Sequence, residues 1–218
     1  MVSSLPSLVQ YWDVSNIPAQ LYARMNDWKN LNPSWNYCRF NRESAATFLG
    51  QKYSSELCDA FLDVRLPAMQ ADVFRVAYLN ARGGVWVDAA TVALKPLDTW
   101  LDRDQSLVLL RRPHQEHPKV ATQLIYASHK THPLLQEAWV RLVYSLLHRL
   151  GVKVYRDFGP GLFRDLMVEN PCLSEGLQVM QVQSLQSYFQ IGSSSSVITA
   201  DHHWSQRQQS ESLYFSGG

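Results

Sequence analysis

Short strand-like segments and longer helix-like segments alternate along most of this 218-residue chain. The pattern predicts strands at 8–12, 35–40, 85–87, 92–94, 106–110, 123–127 and 177–182. It predicts helices at 18–30, 42–49, 54–64, 69–81 and 133–150, and one more that follows Gly161 and ends near 168. Such alternation favours an α/β sandwich with helices on both faces of a mainly parallel central sheet.

The chain shows neither an internal repeat nor a clear domain boundary, so we expect one domain over 1–218. Its late Ser-, Gln- and Gly-rich stretch predicts a flexible tail from about 205. With 46% hydrophobic and 18% charged residues, the composition is that of a globular protein. A net charge of +1 gives no reason to expect a nucleic acid partner. No apolar run approaches about 18 residues, so no membrane span is expected.

Three widely spaced cysteines argue against both a disulfide framework and a structural zinc site. They are typical of reduced thiols. The first residues also lack the basic and apolar regions of a secretory signal. Together these features predict a cytoplasmic protein.

The richest pattern of candidate functional residues runs from Asp72 to Asp88. Asp72 and Arg75 are three residues apart in a predicted helix and therefore share one face of it. Side chains alternate along the following strand, so Trp86 and Asp88 point to the same side. Asp88 ends this strand, where ligands bind in open α/β sheets. A carboxylate there suits a ribose hydroxyl or a divalent cation, although a solvated ion pair and a turn-forming aspartate would give the same pattern.

The pattern Asp72-x-x-Arg75, then Gly83-Gly84 and a strand ending at Asp88, resembles the sugar-binding region of glycosyltransferase family 32. Weaker similarities follow the family's order along most of the chain. They are the opening strand that ends at Trp12, the 28–37 segment with Asn32-Pro33, Lys95-Pro96-Leu97, Gly159-Pro160 and His202-His203-Trp204.

This resemblance implies a GT-A-like, Rossmann-like fold and a glycosyltransferase of polysaccharide biosynthesis. The implied reaction moves a hexose, with retention, from a UDP- or GDP-sugar to a hydroxyl group of a saccharide or protein acceptor. Asp72 and Arg75 are expected to bind the donor sugar and phosphate, and Asp88 the ribose and the metal ion.

Other residues are implied to form the remainder of the donor site. Trp12 would stack on the nucleobase beside Tyr11, and Trp86 would line the donor pocket. Gly83 and Gly84 belong to the same donor-binding segment, and Trp204 would close over the pyrophosphate.

The chain departs from the family at the Asp-x-Asp motif, because Ala90 stands where the second aspartate is expected. A Mn²⁺ or Mg²⁺ ion is still implied. Asp88 would be one ligand, and Asp201 and His203 are candidates for the others, since Mn²⁺ accepts both oxygen and imidazole ligands.

Two alternatives stay open at this point. In one, the chain binds a nucleotide-sugar without catalysing transfer. In the other, it is an α/β interaction module whose aromatic residues all belong to the core. No phosphate-binding P-loop, dinucleotide fingerprint or hydrolase nucleophile elbow is present in the sequence.

Overall fold

A computed structural model describes residues 5–113, 119–128, 131–192 and 209–215. The strands are β1 (Ser7–Tyr11), β2 (Asn36–Phe40), β3 (Gly84–Val87), β4 (Val92–Ala93), β5 (Leu107–Arg112), β6 (Lys119–Ala127), β7 (Leu177–Gln181) and β8 (Phe189–Gln190). The helices are α1 (Ala19–Leu31), α2 (Arg42–Lys52), α3 (Ser55–Asp63), α4 (Pro67–Arg82), α5 (Pro133–Leu147), α6 (Val154–Asp157) and α7 (Pro160–Glu169).

Six strands form the central sheet in the order β2-β1-β3-β6-β5-β7. β1 pairs in parallel with β2 and β3, and β5 pairs in parallel with β7, whereas β6 is antiparallel to both of its neighbours. The predicted mainly parallel sheet is confirmed, with β6 as the one reversed strand of this sheet. A separate pair, β4 and β8, forms a small antiparallel sheet.

Alternate side chains of each central strand enter two different cores. On β1, Val9 packs into the larger core, which includes buried residues of α2, α3, α4, α5 and α7. Its neighbour Leu8 packs into the second core, together with Trp28 of α1. Both faces of the sheet are thus covered by helices, as the α/β sandwich requires.

The predicted elements all have counterparts, and the main difference lies in the length of β6. This strand begins at Lys119, four residues before the predicted start. Its first four residues include an exposed lysine and a threonine, so they lack the continuous apolar run that marks the later part of the strand. The sequence pattern therefore detects only the more apolar part of the strand, although the residues from Lys119 onward also pair with β5.

The late segment 209–215 packs against the body of the protein and differs there from the expected flexible tail. Leu213 and Tyr214 are buried, and Tyr214 forms an antiparallel bridge with Val64. The Tyr214 hydroxyl donates hydrogen bonds to the carbonyl oxygens of Leu150 at 3.0 Å and Ser145 at 3.3 Å.

In the part of the chain that the structure describes, no helix combines the length and the apolar character needed to cross a bilayer. The three cysteines form no disulfide.

Candidate active site

Helix α4 and strand β3 bring Asp72, Arg75 and Asp88 together. Arg75 Nη1 lies 2.8 Å from Asp72 Oδ1, one turn earlier on the helix. Arg75 Nη2 lies 2.9 Å from Asp88 Oδ1, at the end of β3. One guanidinium group therefore links two carboxylates that are sixteen residues apart in the chain (88 − 72).

This ion-pair cluster is largely shielded from water. The side chains of Arg75 and Asp72 are only 5% and 11% exposed, and that of Asp88 is 29% exposed. Burial raises the pKa of Asp72 to about 6, and nearby Asp88 acts in the same direction, whereas Arg75 opposes the rise. A surface ion pair would show neither this burial nor this pKa.

Trp86 contacts both Asp88 and Arg75 of the cluster. Its indole Nε1 donates a hydrogen bond of 2.7 Å to Asp88 Oδ1, and the Arg75 guanidinium carbon lies 5.2 Å from its ring centre. Trp86 is 1% exposed, so it holds Asp88 and Arg75 in place rather than presenting a wall to a ligand. Oδ1 of Asp88 receives two hydrogen bonds, while no described residue donates to Oδ2, which is therefore available to a ligand.

The loop after β3 is fixed by contacts that the sequence did not reveal. Thr91 donates to the Asp88 carbonyl through its hydroxyl at 2.6 Å and its amide at 3.0 Å. From α1, Trp28 Nε1 donates to the Thr91 carbonyl, and Arg24 Nη1 donates to the Ala90 carbonyl at 3.1 Å. A Thr three residues after an Asp is a turn signal that could have identified Thr91; nothing in the pattern points to Arg24.

Trp12 lies beside this loop. It packs with Ala89 and with Leu21 and Met25 of α1. Its indole Nε1 is buried and has no hydrogen-bond partner among the described residues. A buried donor without a partner is uncommon, and a ligand that accepts this hydrogen bond would satisfy it.

Tyr11 does not share that position. It is 5% exposed and packs in the larger core, and its hydroxyl donates to Gln70 Oε1 at 2.8 Å. Burial raises its pKa well above the usual range. Because strand neighbours point to opposite faces, Trp12 and Tyr11 cannot both face one ligand.

Gly83 and Gly84 lie at the start of β3, at the end opposite Asp88. Gly84 lies four positions before Asp88, roughly 13 Å away along the strand. Both glycines have positive φ, 66° and 102°. A Cβ atom at Gly84 would lie 2.4 Å from the carbonyl oxygen of Ser7. They shape the turn from α4 into β3 and its contact with β1, which does not match the expected role in cofactor binding.

Asp88 is the more exposed of the two carboxylates in the cluster, and its Oδ2 accepts no hydrogen bond from a described residue, so this oxygen can serve as a ligand to a divalent cation. The described residues include no group of three or more His, Cys, Asp or Glu side chains suited to a metal. Asp201, His203 and Trp204 lie outside the described residues. Mg²⁺ sites often use one or two carboxylates together with substrate phosphates, so the donor set at Asp88 fits a cation that arrives with a diphosphate.

The ion-pair cluster lies in a part of the chain that is similar to known proteins. Residues 18–107, which include the whole ion-pair cluster, match the family described as "Glycosyltransferase sugar-binding region containing DXD motif". An initiation-specific alpha-1,6-mannosyltransferase of Candida albicans is 25% identical over 190 residues, covering 72% of this chain and 49% of that protein. The Schizosaccharomyces pombe protein of the same name is 24% identical over 197 residues, covering 77% of this chain and 49% of its own length.

The chain thus spans about half the length of the curated relatives it matches. Among solved structures, the PaToxG glycosyltransferase superposes with a TM-score of 0.54 at 15% identity, covering 94% of this chain and 85% of that one. At this identity the superposition shows the fold alone, and that fold is GT-A. Residues 18–107 thus match a glycosyltransferase sugar-binding region, and most of the chain is similar in sequence to alpha-1,6-mannosyltransferases.

Proposed function

We propose that this chain transfers a hexose, with retention, from a UDP- or GDP-sugar to a hydroxyl group of a saccharide or protein acceptor. The observation that carries this proposal is the Arg75 guanidinium held between Asp72 and Asp88 at the carboxyl end of β3. The related proteins are named mannosyltransferases, which makes mannose the first sugar to test.

Each residue of the cluster has a chemical task in this proposal. Asp72 accepts hydrogen bonds from donor hydroxyl groups through its carboxylate. Arg75 provides a positive charge that is already in place, because its guanidinium is held by two carboxylates, which also offset part of that charge. Such a preorganised charge stabilises the negative charge that develops on the leaving diphosphate.

Retaining transfer then needs positioning more than a dedicated base. The acceptor hydroxyl attacks the face of the sugar from which the phosphate leaves, and a phosphate oxygen takes up its proton. Mn²⁺ or Mg²⁺, when bound, would be held by Asp88 Oδ2 and the donor phosphates and would neutralise part of the diphosphate charge. Trp12 would lie along the nucleobase and donate its free N–H.

A thermal-shift panel of UDP- and GDP-sugars, with and without Mn²⁺, tests the proposal. We expect one donor to raise the melting temperature, because a ligand that binds only the folded state stabilises it. Asp88→Asn should abolish this rise. Asp104→Asn makes the same chemical change at an exposed carboxylate and should leave it intact. If no nucleotide-sugar or nucleoside diphosphate shifts the wild type, the proposal is wrong.

The replacement of the second motif aspartate by Ala90 favours one other function, a nucleotide-sugar-binding protein without transfer activity. The two functions share the pocket and differ in turnover. Release of nucleoside diphosphate from the stabilising donor, measured with and without saccharide acceptors, separates them. Release that depends on Asp72 supports transfer, whereas tight binding without release supports the binding protein.

A further inference from the structure

A second concave site lies between α1 and β2, at the outer edge of the central sheet. It has a volume of about 240 Å³ and is lined by Tyr22, Met25, Asn26, Lys29, Tyr37 and Arg39. None of these residues belongs to the Asp72–Arg75–Asp88 cluster. Because β2 is an edge strand, the site lies at the margin of the sheet.

The lining carries positive charge without any acidic residue. Lys29 and Arg39 both face the site, and neither forms an ion pair with a described carboxylate. Both residues are exposed, and an anion bound in the site would be attracted by two positive charges without repulsion from a carboxylate of the lining. This arrangement therefore favours a negatively charged ligand.

The other lining groups are neutral donors, acceptors and rings. Tyr22 is 49% exposed and presents its ring at the mouth of the site. The Tyr37 hydroxyl donates a 3.0 Å hydrogen bond to Oε1 of Gln10. Gln10 itself is fully buried and does not line the site, so it fixes the Tyr37 hydroxyl from within the protein, and Asn26 supplies the amide group of the lining. Amide and phenol groups of this kind recognise hydroxyls, and aromatic rings pack on the apolar faces of sugars.

Size and position restrict the ligand further. Pockets for drug-sized molecules usually measure about 300–1,000 Å³, so this site suits a single sugar unit. Met25 lines the site and also packs against Ala89 in the loop that follows Asp88. The side chain of Met25 thus lies between this site and the proposed donor site.

We propose that this site binds a monosaccharide unit that carries a phosphate monoester or a carboxylate. Lys29 and Arg39 pair with the anionic group, and Tyr22, Asn26 and Tyr37 contact the sugar. The preference for an anion rests on the geometry of this site, whereas the choice of a sugar as its carrier rests on the proposed function. The ligand's source is either a free sugar phosphate or the anionic end of an acceptor saccharide.

Titration calorimetry on the full chain tests this proposal with a hexose 6-phosphate, a disaccharide ending in glucuronate, and the neutral hexose. We expect the anionic ligands to bind and the neutral hexose to bind much more weakly. Lys29→Gln and Arg39→Gln should each weaken anion binding about tenfold, the value of one charged hydrogen bond. Lys153→Gln removes an exposed charge beside α6 and should change nothing.

Binding of only the hexose phosphate assigns the site to a free ligand, and binding of the disaccharide assigns it to an acceptor. Equal affinity of wild type and the Lys29→Gln/Arg39→Gln double variant overturns the proposal, as does loss of anion binding in Asp88→Asn, which would place the anion in the donor site. Absence of binding below about 10 mM would overturn it as well. Nucleotide-sugar binding measured in the same variants separates failure of this site from failure of the proposed function.

Discussion

At the scale of single residues, the central feature is one buried guanidinium group that forms ion pairs with two carboxylates. Arg75 approaches Asp72 and Asp88 within 2.9 Å of each, and its position over the Trp86 ring restrains its orientation. Removing a buried charge from such a group leaves its partners uncompensated, which typically costs about 3–5 kcal/mol. Stability and chemistry therefore depend on the same side chain.

We predict that Arg75→Ala lowers the free energy of unfolding by about 3–5 kcal/mol, because it leaves two neighbouring carboxylates without their cation. Urea denaturation measures this loss. Asp72→Asn added to Arg75→Ala should recover part of the stability, since it removes one of the two charges, but no transfer activity. Wild-type stability in the single variant would contradict the assigned role of Arg75.

Asp72 gives a second prediction, on pH. Its pKa in the folded protein is about 6, above its ordinary value of 3.8, so folding favours the neutral form. The stability that this preference contributes is fully present below pH 3.8 and is lost as the pH rises through about 6. The asparagine variant cannot ionise and lacks this dependence.

From about pH 4 to about pH 8, the unfolding free energy of the wild type should therefore fall by about 3 kcal/mol relative to that of Asp72→Asn. Denaturation curves of both proteins across this range measure it, and other titrating groups cancel in the difference. A difference that does not change with pH would show that Asp72 keeps an ordinary pKa in the folded protein.

At the scale of elements, the position of Asp88 depends on how α1 and the chain after β8 enclose its loop. Arg24 of α1 donates to the Ala90 carbonyl, and Gly192 lies against the same peptide group. A Cβ atom at Gly192 would lie 2.0 Å from the Ala90 oxygen and 2.9 Å from Arg24 Nη1. Only glycine leaves room for this close approach.

We predict that Gly192→Ala displaces the loop and weakens nucleoside diphosphate binding at least about tenfold, with a smaller loss of overall stability. Calorimetric affinity measures the effect. Gly50→Ala is a matched control, since its added methyl group lies 3.3 Å from Cys58 Cβ within the α2–α3 packing, away from the site. If Gly192→Ala binds as tightly as wild type, the loop does not control Asp88.

At the scale of the whole molecule, the local sequence pattern predicted the helices and strands. Strand direction and the contacts between elements depend on tertiary packing, which the local pattern does not contain. Apolar alternation predicted β3 and its end at Asp88, and helical spacing put Asp72 and Arg75 on one face. The antiparallel direction of β6 has no signal in its own sequence, because it depends on how the strand pairs with its neighbours β3 and β5. The orientation of Tyr11 away from Trp12 was available from strand parity alone, whereas the Arg24 contact depends on the docking of α1.

The burial of Tyr214 leads to a prediction for the whole fold. Its ring packs in the larger core, although it lies in a stretch of polar composition. Tyr214→Ala should destabilise the protein by on the order of 3 kcal/mol, as truncation of buried aromatic residues does. Tyr144→Ala, at a position 59% exposed on α5, should cost less than about 0.5 kcal/mol. Equal unfolding midpoints for the two variants would show that the late segment adds no stability.

The single reversed strand has a consequence for how proteins with this fold diverge. Because β6 runs backwards, the chain passes from Arg112 to Lys119 at the same edge of the sheet at which β3 ends, and the Asp88 amide donates to the Gln123 carbonyl of β6. Insertions between β5 and β6 would alter the surroundings of Asp88 from one side only. The contacts from α1 and α4 would stay unchanged, so this segment can vary in length while the Asp72–Arg75–Asp88 cluster keeps its geometry.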